Sequence, residues 1–410
     1  MTQVAILGFG VVGSGVAEVI RRNNGPITAR AGAGFEVKYI LDLRDFPDSP
    51  YADRVIKDFN LIEQDPEVEI VIETIGGCKA AYDFTKRALQ AGKSVVTSNK
   101  ELVAQHGYEL LNLAQENKVS YRFEASVGGG IPILHPLSQC LAANKITEVQ
   151  GILNGTTNYI LTHMFGTGIS FDEALKQAQQ RGYAEHDPTA DIEGIDACRK
   201  ICILAAIAFG RHVYPDQVPT EGITKITLAD VSYAYAAGMK VKLLGRAIWQ
   251  ESGKVMAYVA PHFVSIHNPL AGVEDVFNAI TVRGNAIGDV MFYGRGAGML
   301  PTASAVVADV IDAKQHERTR RFLGWDDGGE DYVVGPETLV TQWFLRLEGS
   351  IRDWGCLGPV TSLARAGAGA QCDEVGVITE PMSQLELQKR LTGRKALSAI
   401  RVLNETPDLA

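Results

Sequence analysis

The chain has little of what marks several large classes of protein. It has no excess of positive charge: 39 Lys and Arg stand against 48 Asp and Glu, and the net charge of −9 argues against a nucleic-acid binder. Its six cysteines are scattered and form no CxxC pair, which predicts neither a disulfide framework nor a zinc site. No apolar run is long and uninterrupted enough to span a bilayer, and the first residues are typical of a strand, not of a signal peptide. These absences predict a reduced, cytoplasmic protein that binds neither nucleic acid nor membrane.

What is present is the composition of an ordinary globular protein. The 410 residues suffice for two or three domains, each able to bury its own core. Apolar residues make up 46% of the chain and charged residues 21%, which is typical of globular domains.

A glycine motif lies between a predicted strand and a predicted helix close to the start of the chain. The apolar run VAIL leads into GFGVVG, and a helical pattern follows to about Arg22. In this context GxGxxG predicts a dinucleotide-binding turn, with one glycine for the turn, one for approach to the pyrophosphate and one for helix–strand packing. The N-terminus of the helix offers its free N–H groups to the phosphates. The residues expected to bind the cofactor here are Gly8, Gly10, Val11, Val12 and Gly13.

The second predicted strand, residues 35–41, ends at Asp42. An acidic residue at this position accepts a hydrogen bond from the adenosine ribose and favours NAD, whereas a nearby arginine favours NADP. Here Leu41 precedes the aspartate and Arg44 follows it by two residues. The pattern therefore leaves NAD and NADP both open, with a slight preference for NAD or for the use of both.

A lysine follows another predicted strand of the same sheet. Residues 94–97 form the strand, and Ser98, Asn99 and Lys100 come directly after it. Ligands bind at the carboxyl ends of parallel strands in such sheets. A surface lysine at a helix start is the alternative, but the helix dipole disfavours a cation there. We therefore predict that Ser98 and Lys100 lie beside the cofactor.

The most informative stretch is RGYAEHDPTADIEGIDACRK, residues 181–200. Asp196 and Lys200 are four residues apart, so they share one face of a predicted helix. A solvent-exposed ion pair is the simple alternative, because such pairs are common on helices. The rest of this helix is strongly apolar, which predicts that it is mostly buried. A buried lysine needs a partner or a function, so the pair is predicted to be a tuned acid–base group.

This stretch resembles the signature of homoserine dehydrogenases, G-Y/F-x-E-x-D-P-x-x-D-x-x-G-x-D-x-x-x-K. The positions that match are Gly182, Glu185, Asp187, Pro188, Asp191, Gly194, Asp196 and Lys200, and NGTTNY at 154–159 matches as well. The resemblance implies an oxidoreductase that reduces L-aspartate 4-semialdehyde to L-homoserine, reversibly and with NAD(P), in threonine, methionine and isoleucine biosynthesis. It also implies a homodimer that forms through an antiparallel sheet.

The resemblance implies roles for individual residues. Glu185 would bind the substrate ammonium, and Asp191 and Asp196 would hold water and the reacting oxygen. Lys200 would be the general acid in reduction and the base in oxidation, and Lys100 would assist proton transfer or stabilise the alkoxide. His186 is a weaker candidate for a proton carrier. Gly182 and Gly296, the latter in the glycine-rich turn GRGAG, are further expected cofactor contacts.

The segment EASVGGGIP, residues 124–132, resembles the loop in which the family holds a sodium ion. The implied ligands are the side chain of Glu124 and the backbone carbonyls of Val127, Gly129 and Ile131. A hard cation takes oxygen ligands of this kind. A glycine-rich hinge between domains is the alternative, and the sequence leaves both open.

The predicted architecture is an α/β Rossmann domain, an α+β catalytic and dimerisation domain with a mixed or antiparallel sheet, and a small ACT-like tail. The boundaries are 1–136 for the first domain, completed by about 296–318, then 137–318, a linker at 319–331, and 332–410 for the tail. The tail is expected to have the order β-α-β-α-β, with its first helix around 357–367. An ACT-like tail would imply feedback by threonine; a dimerisation or packing role is the alternative.

Two other functions fit part of the sequence. A catalytically silent nucleotide sensor would need the cofactor domain, but it would not need to keep Lys200, Asp196 and Glu185 together. A dehydrogenase that converts an aldehyde to an acyl phosphate would need a nucleophilic cysteine with an activating histidine. Cys78 lies near a strand end, but no histidine partner is evident in the sequence.

Overall fold

A computed structural model describes residues 1–317, 325–365, 373–391 and 393–404. The chain forms two compact units, the first from residues 1–143, 202–215 and 294–329, and the second from 144–201, 216–293 and 330–410. The described strands are β1 (Thr2–Leu7), β2 (Phe35–Leu41), β3 (Val55–Ile56), β4 (Val68–Glu73), β5 (Ser94–Thr97), β6 (Tyr121–Arg122), β7 (Ile146–Ile152), β8 (Met239–Trp249), β9 (Val255–Ser265), β10 (Phe277–Gly284), β11 (Gly288–Arg295), β12 (Val333–Val334), β13 (Trp343–Glu348), β14 (Val360–Leu363), β15 (Glu374–Thr379) and β16 (Ser398–Val402). The described helices are α1 (Val11–Arg22), α2 (Asn24–Ala31), α3 (Asn60–Glu63), α4 (Lys79–Gln90), α5 (Lys100–Glu116), α6 (Gly155–Thr167), α7 (Phe171–Gln180), α8 (Thr189–Ile192), α9 (Ile195–Phe209), α10 (Leu228–Ala236), α11 (Met299–Gln315) and α12 (Gln384–Leu391).

The first unit is built on a parallel sheet with the strand order β3-β2-β1-β4-β5-β6. Its inner strands are short apolar runs, as expected of a sheet that is covered by helices on both faces. From β1 the chain adds β2 and β3 on one side of the sheet, and it then adds β4, β5 and β6 on the other side. A doubly wound sheet binds its ligand at the carboxyl ends of the strands where this switch occurs, here β1, β4 and the neighbouring β5. The predicted Rossmann domain is therefore confirmed.

The late helix α11 belongs to the core of the first unit. Ala303 and Val306 of this helix pack with Val4 of β1 and Val16 of α1. A Cβ on Gly15 would stand 3.0 Å from Met299, so a glycine in α1 permits the close approach of the two helices. Residues far apart in the sequence thus complete one hydrophobic core.

The second unit contains a ten-stranded mixed sheet with the order β11-β10-β7-β8-β9-β16-β13-β15-β14, and β12 pairs with β9. Strands β8 and β9 are eleven residues long and pair antiparallel along their whole length. Helices α6 and α10 pack against β8. This is the mixed or antiparallel sheet that the sequence predicts for the catalytic domain.

The tail contributes strands to this same sheet. Strand β16 pairs parallel with β9, and Arg401 and Val402 lie opposite His262 and Phe263. The helix expected around 357–367 is wrong over its described part, because residues 360–363 form strand β14. A 3₁₀-helix, Ile351–Leu357, precedes it and ends at Gly358, which has φ +77°. Beyond this glycine, Val360 and Thr361 are β-branched and favour a strand.

The predicted linker at 319–331 is described from residue 325 onwards. Trp325 is fully buried in the first unit, and its indole N–H donates to Nδ1 of His212 at 2.9 Å. That part of the segment is therefore packed. Within the described ranges, no helix is both long enough and apolar enough to cross a membrane.

Candidate active site

The predicted acid–base pair lies at the start of helix α9 in the second unit. The Nζ of Lys200 donates to Oδ2 of Asp196 at 2.8 Å and to the carbonyl oxygen of Leu153 at 2.7 Å. Lys200 is 7% exposed and Asp196 is 4% exposed. The alternative of a solvent-exposed ion pair is therefore wrong. Because two fixed acceptors hold the amine, its position is set before any substrate binds.

Asn154 joins the two aspartates of the predicted site. Its Nδ2 donates to Oδ1 of Asp191 at 2.6 Å and to Oδ2 of Asp196 at 2.9 Å. Its Oδ1 accepts the N–H of Thr157 at 2.8 Å, so the same side chain caps helix α6. An amide NH₂ group has two donors, and here each serves one carboxylate. Burial raises the pKa of Asp191, and the charge of Asp196 raises it further.

Residues 185–187 of the signature lie in an exposed loop. Glu185 and His186 are both exposed. Gln179 donates to the carbonyl oxygen of Glu185 at 3.1 Å, which fixes the backbone there. The structure therefore joins Asp191, Asp196 and Lys200 by hydrogen bonds through Asn154, whereas Glu185 lies on the exposed loop.

Asp187 and Gly182 shape the backbone of this loop. Oδ1 of Asp187 accepts the N–H and the hydroxyl of Thr189, and these hydrogen bonds lower the pKa of the carboxyl group. Gly182 follows helix α7 with φ +73°, a left-handed conformation that favours glycine. No heavy atom lies within 4 Å of the place where its Cβ would stand.

The glycine turn of the first unit has the close contacts that its motif predicts. Gly8 has φ +86°, and a Cβ on Gly13 would stand 2.0 Å from the carbonyl oxygen of Gly8. Gly10 caps helix α1 without a side-chain hydrogen bond, and the first turn of that helix contains no acidic residue. These features suit a pyrophosphate at the helix N-terminus, because nothing acidic there opposes its charge.

Asp42 and Arg44 form an ion pair beside this turn. Oδ2 of Asp42 accepts the N–H of Phe9 at 2.7 Å and lies 2.9 Å from Nη2 of Arg44. The guanidinium of Arg44 holds the pKa of the Asp42 carboxyl group well below its usual range. The side chain of Arg44 is 63% exposed. The carboxylate of Asp42 is thus already paired with a cation, and the side chain of that arginine is exposed to solvent.

Lys100 is the first residue of helix α5, and Ser98 and Asn99 connect it to the carboxyl end of β5. Asn99 caps the helix, since its Oδ1 accepts the N–H of Leu102 at 3.1 Å. The N–H of Ser98 donates to the carbonyl oxygen of Glu73 at 3.3 Å. Glu73, the last residue of β4, is fully buried and accepts a hydrogen bond from Thr97. Glu73 is not among the residues predicted from the sequence, although an acidic residue in the apolar run IVIETI was a signal for it.

Glu124 is buried and accepts three backbone hydrogen bonds. Its Oε1 accepts the N–H groups of Ile133 and Leu134, and its Oε2 accepts that of His135 at 2.7 Å. Asp309 accepts the N–H of Glu124 at 2.7 Å and lies 3.2 Å from Nε2 of His135. Burial raises the pKa of Glu124, and the charge of Asp309 adds to the effect. Among the residues that the structure describes, no group of three or more His, Cys, Asp and Glu could hold a metal ion.

The glycine-rich turns at 127–131 and 294–298 pack against each other. Gly129 has φ +56°, and a Cβ there would stand 2.3 Å from the carbonyl oxygen of Gly296. The N–H of Gly130 donates to the carbonyl oxygen of Arg295 at 3.1 Å. Gly296 is therefore a contact of the neighbouring turn, and its expected contact with the cofactor stays a prediction.

Comparison with known proteins adds to this geometry. The sequence model described as "Homoserine dehydrogenase, NAD binding domain" matches residues 8–124, and the one described as "Homoserine dehydrogenase" matches 132–311. The homoserine dehydrogenase of Pseudomonas aeruginosa is 42% identical over 84% of this chain and 81% of its own length. The crystal structure of a homoserine dehydrogenase from Thiobacillus denitrificans has a TM-score of 0.88 at 35% identity and covers 98% of both chains. A hyperthermophilic archaeal homoserine dehydrogenase in complex with NADPH has a TM-score of 0.64 at 31% identity, over 76% of this chain and 97% of its own.

These matches cover both the sheet that carries the glycine turn and the helix that carries Lys200. The expected family, the nicotinamide-cofactor domain and the oxidoreductase class are confirmed. The chain belongs to the homoserine dehydrogenase family.

Proposed function

We propose that Lys200 is the acid–base group of the homoserine dehydrogenase reaction in this chain, the reversible reduction of L-aspartate 4-semialdehyde to L-homoserine. The observation that carries the proposal is the buried amine with its two short hydrogen bonds, to Asp196 and to Leu153. When bound, the nicotinamide cofactor supplies the hydride in reduction and accepts it in oxidation. The side chains of the protein then have to bind the substrate and move one proton.

In the direction of reduction, negative charge builds on the aldehyde oxygen as the carbonyl carbon is reduced. A cation beside that oxygen lowers the barrier, and a proton from Lys200 completes the alcohol. In the direction of oxidation, the neutral amine of Lys200 takes the hydroxyl proton of homoserine. Asp196 stabilises the ammonium form and orients it, and Lys100 stabilises the developing alkoxide or assists the proton transfer.

The acidic groups give the site its preference for an amino acid. Glu185 binds the ammonium group of the substrate by a charge-assisted hydrogen bond. Asp191 and Asp196 hold water and the reacting oxygen, and Asn154 keeps the two carboxylates in place. Glu185 is exposed, so its carboxylate is accessible to the ammonium group of a substrate.

The variant Lys200→Ala tests the proposal, with turnover followed by the absorbance of the reduced nicotinamide. We expect kcat to fall about a thousandfold, within the range of general acid–base catalysis. Binding of the cofactor, measured by fluorescence titration, should stay unchanged. Lys176 is exposed on helix α7, so Lys176→Ala is the matched control and should keep its turnover. Turnover of Lys200→Ala close to that of the control would contradict the assignment.

Arg44 supports a proposal about the cofactor. Because the carboxylate of Asp42 already accepts from Arg44 and from the N–H of Phe9, it is poorly placed to select NAD alone. An exposed guanidinium beside the glycine turn suits the 2′-phosphate of NADP. The similarity to an archaeal enzyme that binds NADPH supports the same choice. We therefore propose that the chain accepts NADP, with NAD as a weaker alternative.

The loop at 124–131 supports the proposal of a bound sodium ion. The donor set of one carboxylate and the carbonyls of Val127, Gly129 and Ile131 has the oxygen chemistry that a hard cation needs. The raised pKa of Glu124 beside Asp309 also fits, because a cation would relieve the repulsion between two buried carboxylates. Melting temperatures in sodium chloride and in choline chloride at equal ionic strength test this. Sodium should stabilise the protein, and Glu124→Gln should remove the difference. Equal melting temperatures would contradict the proposal.

The homodimer through the antiparallel sheet remains a prediction from the family resemblance, and the cytoplasmic location remains a prediction from the composition of the sequence. The ACT-like character of the tail and feedback by threonine have the same standing.

A further inference from the structure

We propose that Glu73 is a positioning residue for Lys100, acting through a hydrogen-bond relay that passes along Thr97 and Asn99. This inference rests on the role proposed above for Lys100. It concerns a residue outside the signature and outside the glycine turn. All of the groups in the relay lie in the first unit, at the carboxyl ends of β4 and β5.

The position of Glu73 is unusual for an acidic side chain. It ends a strand whose neighbouring residues, Ile70, Val71 and Ile72, are buried, and it is itself 0% exposed. A buried carboxylate without partners is strongly unfavourable, so its hydrogen bonds decide what it does there. It also lies at the edge of the parallel sheet where this kind of fold binds its ligands.

The relay begins with the two carboxylate oxygens. Oε2 of Glu73 accepts the hydroxyl of Thr97 at 2.5 Å, and Oε1 accepts the N–H of Ile75 at 2.6 Å. The hydroxyl oxygen of Thr97 in turn accepts the N–H of Asn99 at 2.9 Å. The direction of the Thr97 hydroxyl is therefore fixed, because it receives one hydrogen bond and donates the other to the carboxylate.

The relay ends at the residue before Lys100. The side chain of Asn99 donates to the carbonyl oxygens of Ile75 at 3.2 Å and Gly77 at 2.7 Å, and it caps helix α5. Glu73 holds the backbone of Ile75 from the other side. The loops after β4 and β5 are thus tied together twice, once by the carboxylate and once by the amide. Lys100 follows Asn99 directly and is the first residue of helix α5. Its backbone position therefore depends on the relay.

The ionised carboxylate is the form that this arrangement suits. A proton on Oε2 would face the Thr97 hydroxyl, which would have to turn away while it still accepts from Asn99. Burial raises the pKa of Glu73 to about 7. Tyr121 on β6 is a titratable group close to Glu73; burial raises its pKa, and the charges of Glu73 and of Cys78 at the start of α4 add to the effect. The relay should therefore hold above about pH 7 and loosen below it.

The raised pKa of Glu73 makes the stability of the fold depend on pH in the direction opposite to that of the relay. A carboxyl group whose pKa is raised on folding favours the folded state while it is protonated, and this contribution is lost as the pH rises through about 7. An amide in place of the carboxyl group removes that loss. Glu73→Gln should therefore be at least as stable as the wild type at pH 8, although its turnover falls. A merely structural acid would not separate these two properties.

The test compares Glu73→Gln with Glu69→Gln, a matched change on the same strand where Glu69 pairs with Lys314. Steady-state kinetics with homoserine and NADP⁺ or NAD⁺ are measured from pH 6 to 9, together with the melting temperature. We expect kcat of Glu73→Gln to fall about tenfold at pH 8, with little change in KM for the cofactor. Its fall in kcat towards low pH should lack the step near pH 7 that the wild type and Glu69→Gln show.

Thr97→Val and Thr97→Ser provide a second route if Glu73→Gln folds poorly. Thr97→Val removes the hydroxyl and should reproduce the loss of kcat, whereas Thr97→Ser keeps it and should restore turnover. A folded Glu73→Gln, or Thr97→Val, with the kcat and pH profile of the wild type would overturn the inference. Lys100→Ala distinguishes failure of the proposed role of Lys100 from failure of the relay. If Lys100→Ala keeps its turnover, the proposed role of Lys100 is wrong. If Lys100→Ala loses turnover but the Glu73 and Thr97 variants do not, only the relay is wrong.

Discussion

Lys200 in the second unit and Arg44 in the first are both cations paired with an aspartate, but their surroundings differ. Lys200 is buried in an apolar helix, with Asp196 and a backbone carbonyl as fixed partners. Arg44 is mostly exposed, and it pairs with an aspartate two residues before it in the sequence. Charges that are removed from water interact strongly and stay oriented, whereas exposed charges are screened. The comparison teaches that the first cation can serve chemistry and the second can serve the choice of cofactor.

Substitution of Asn154, which binds the aspartate partner of the buried Lys200, is expected to have a larger effect on the reaction than substitution of Arg44. Asn154→Ala removes two donors from the carboxylates of Asp191 and Asp196 and should lower kcat about thirtyfold, from about 2 kcal/mol of lost positioning. It also removes the cap of helix α6, which should lower the stability by about 1 kcal/mol. Initial rates and thermal melts measure the two effects.

Asn154→Ser separates capping from positioning. Serine caps helices well, but its side chain is too short to donate to both Asp191 and Asp196. The melting temperature should therefore recover in Asn154→Ser, while kcat stays as low as in Asn154→Ala. Recovery of kcat together with stability would mean that Asn154 acts only as a cap.

The smaller effect is expected at Arg44, on the exposed side of the comparison. Arg44→Ala should raise KM for NADP⁺ about tenfold and change KM for NAD⁺ by less than about threefold, because only NADP carries the additional phosphate. The difference should shrink as the ionic strength rises, since the charge is exposed. Arg30 is exposed on helix α2, and Arg30→Ala is the control. An equal change in KM for both cofactors would remove Arg44 from the choice between them.

Contacts between residues that are close in the sequence could be predicted from its local patterns, whereas contacts between distant residues could not. The spacing of Asp196 and Lys200 predicted one helix face, and the apolar residues around them predicted burial. The bridge from Asn154 to both aspartates could not be predicted, because it spans 37 and 42 residues and depends on how β7, α6 and α9 pack. Glu73 shows a third case, since the sequence carries a signal for burial but not for the hydroxyl and amide that it binds.

The tail shows where local patterns failed. A helix was expected around 357–367, but strand β14 begins two residues after Gly358. Strand pairing settled that segment, because β14 pairs antiparallel with β15 over four residue pairs. The family resemblance predicted that residues near 300–314 return to the first domain, and α11 does pack on α1. Resemblance carried information about long-range contacts that periodicity did not contain.

The parallel pairing of β16 with β9 has a consequence for anyone who shortens this protein. If the last eighty residues were removed, one side of β9 would be left with open N–H and C=O groups, and such an edge recruits other chains. A truncated protein that aggregates or loses turnover would therefore say nothing about an inhibitor. Point substitutions within the tail are the better way to ask whether it senses a small molecule.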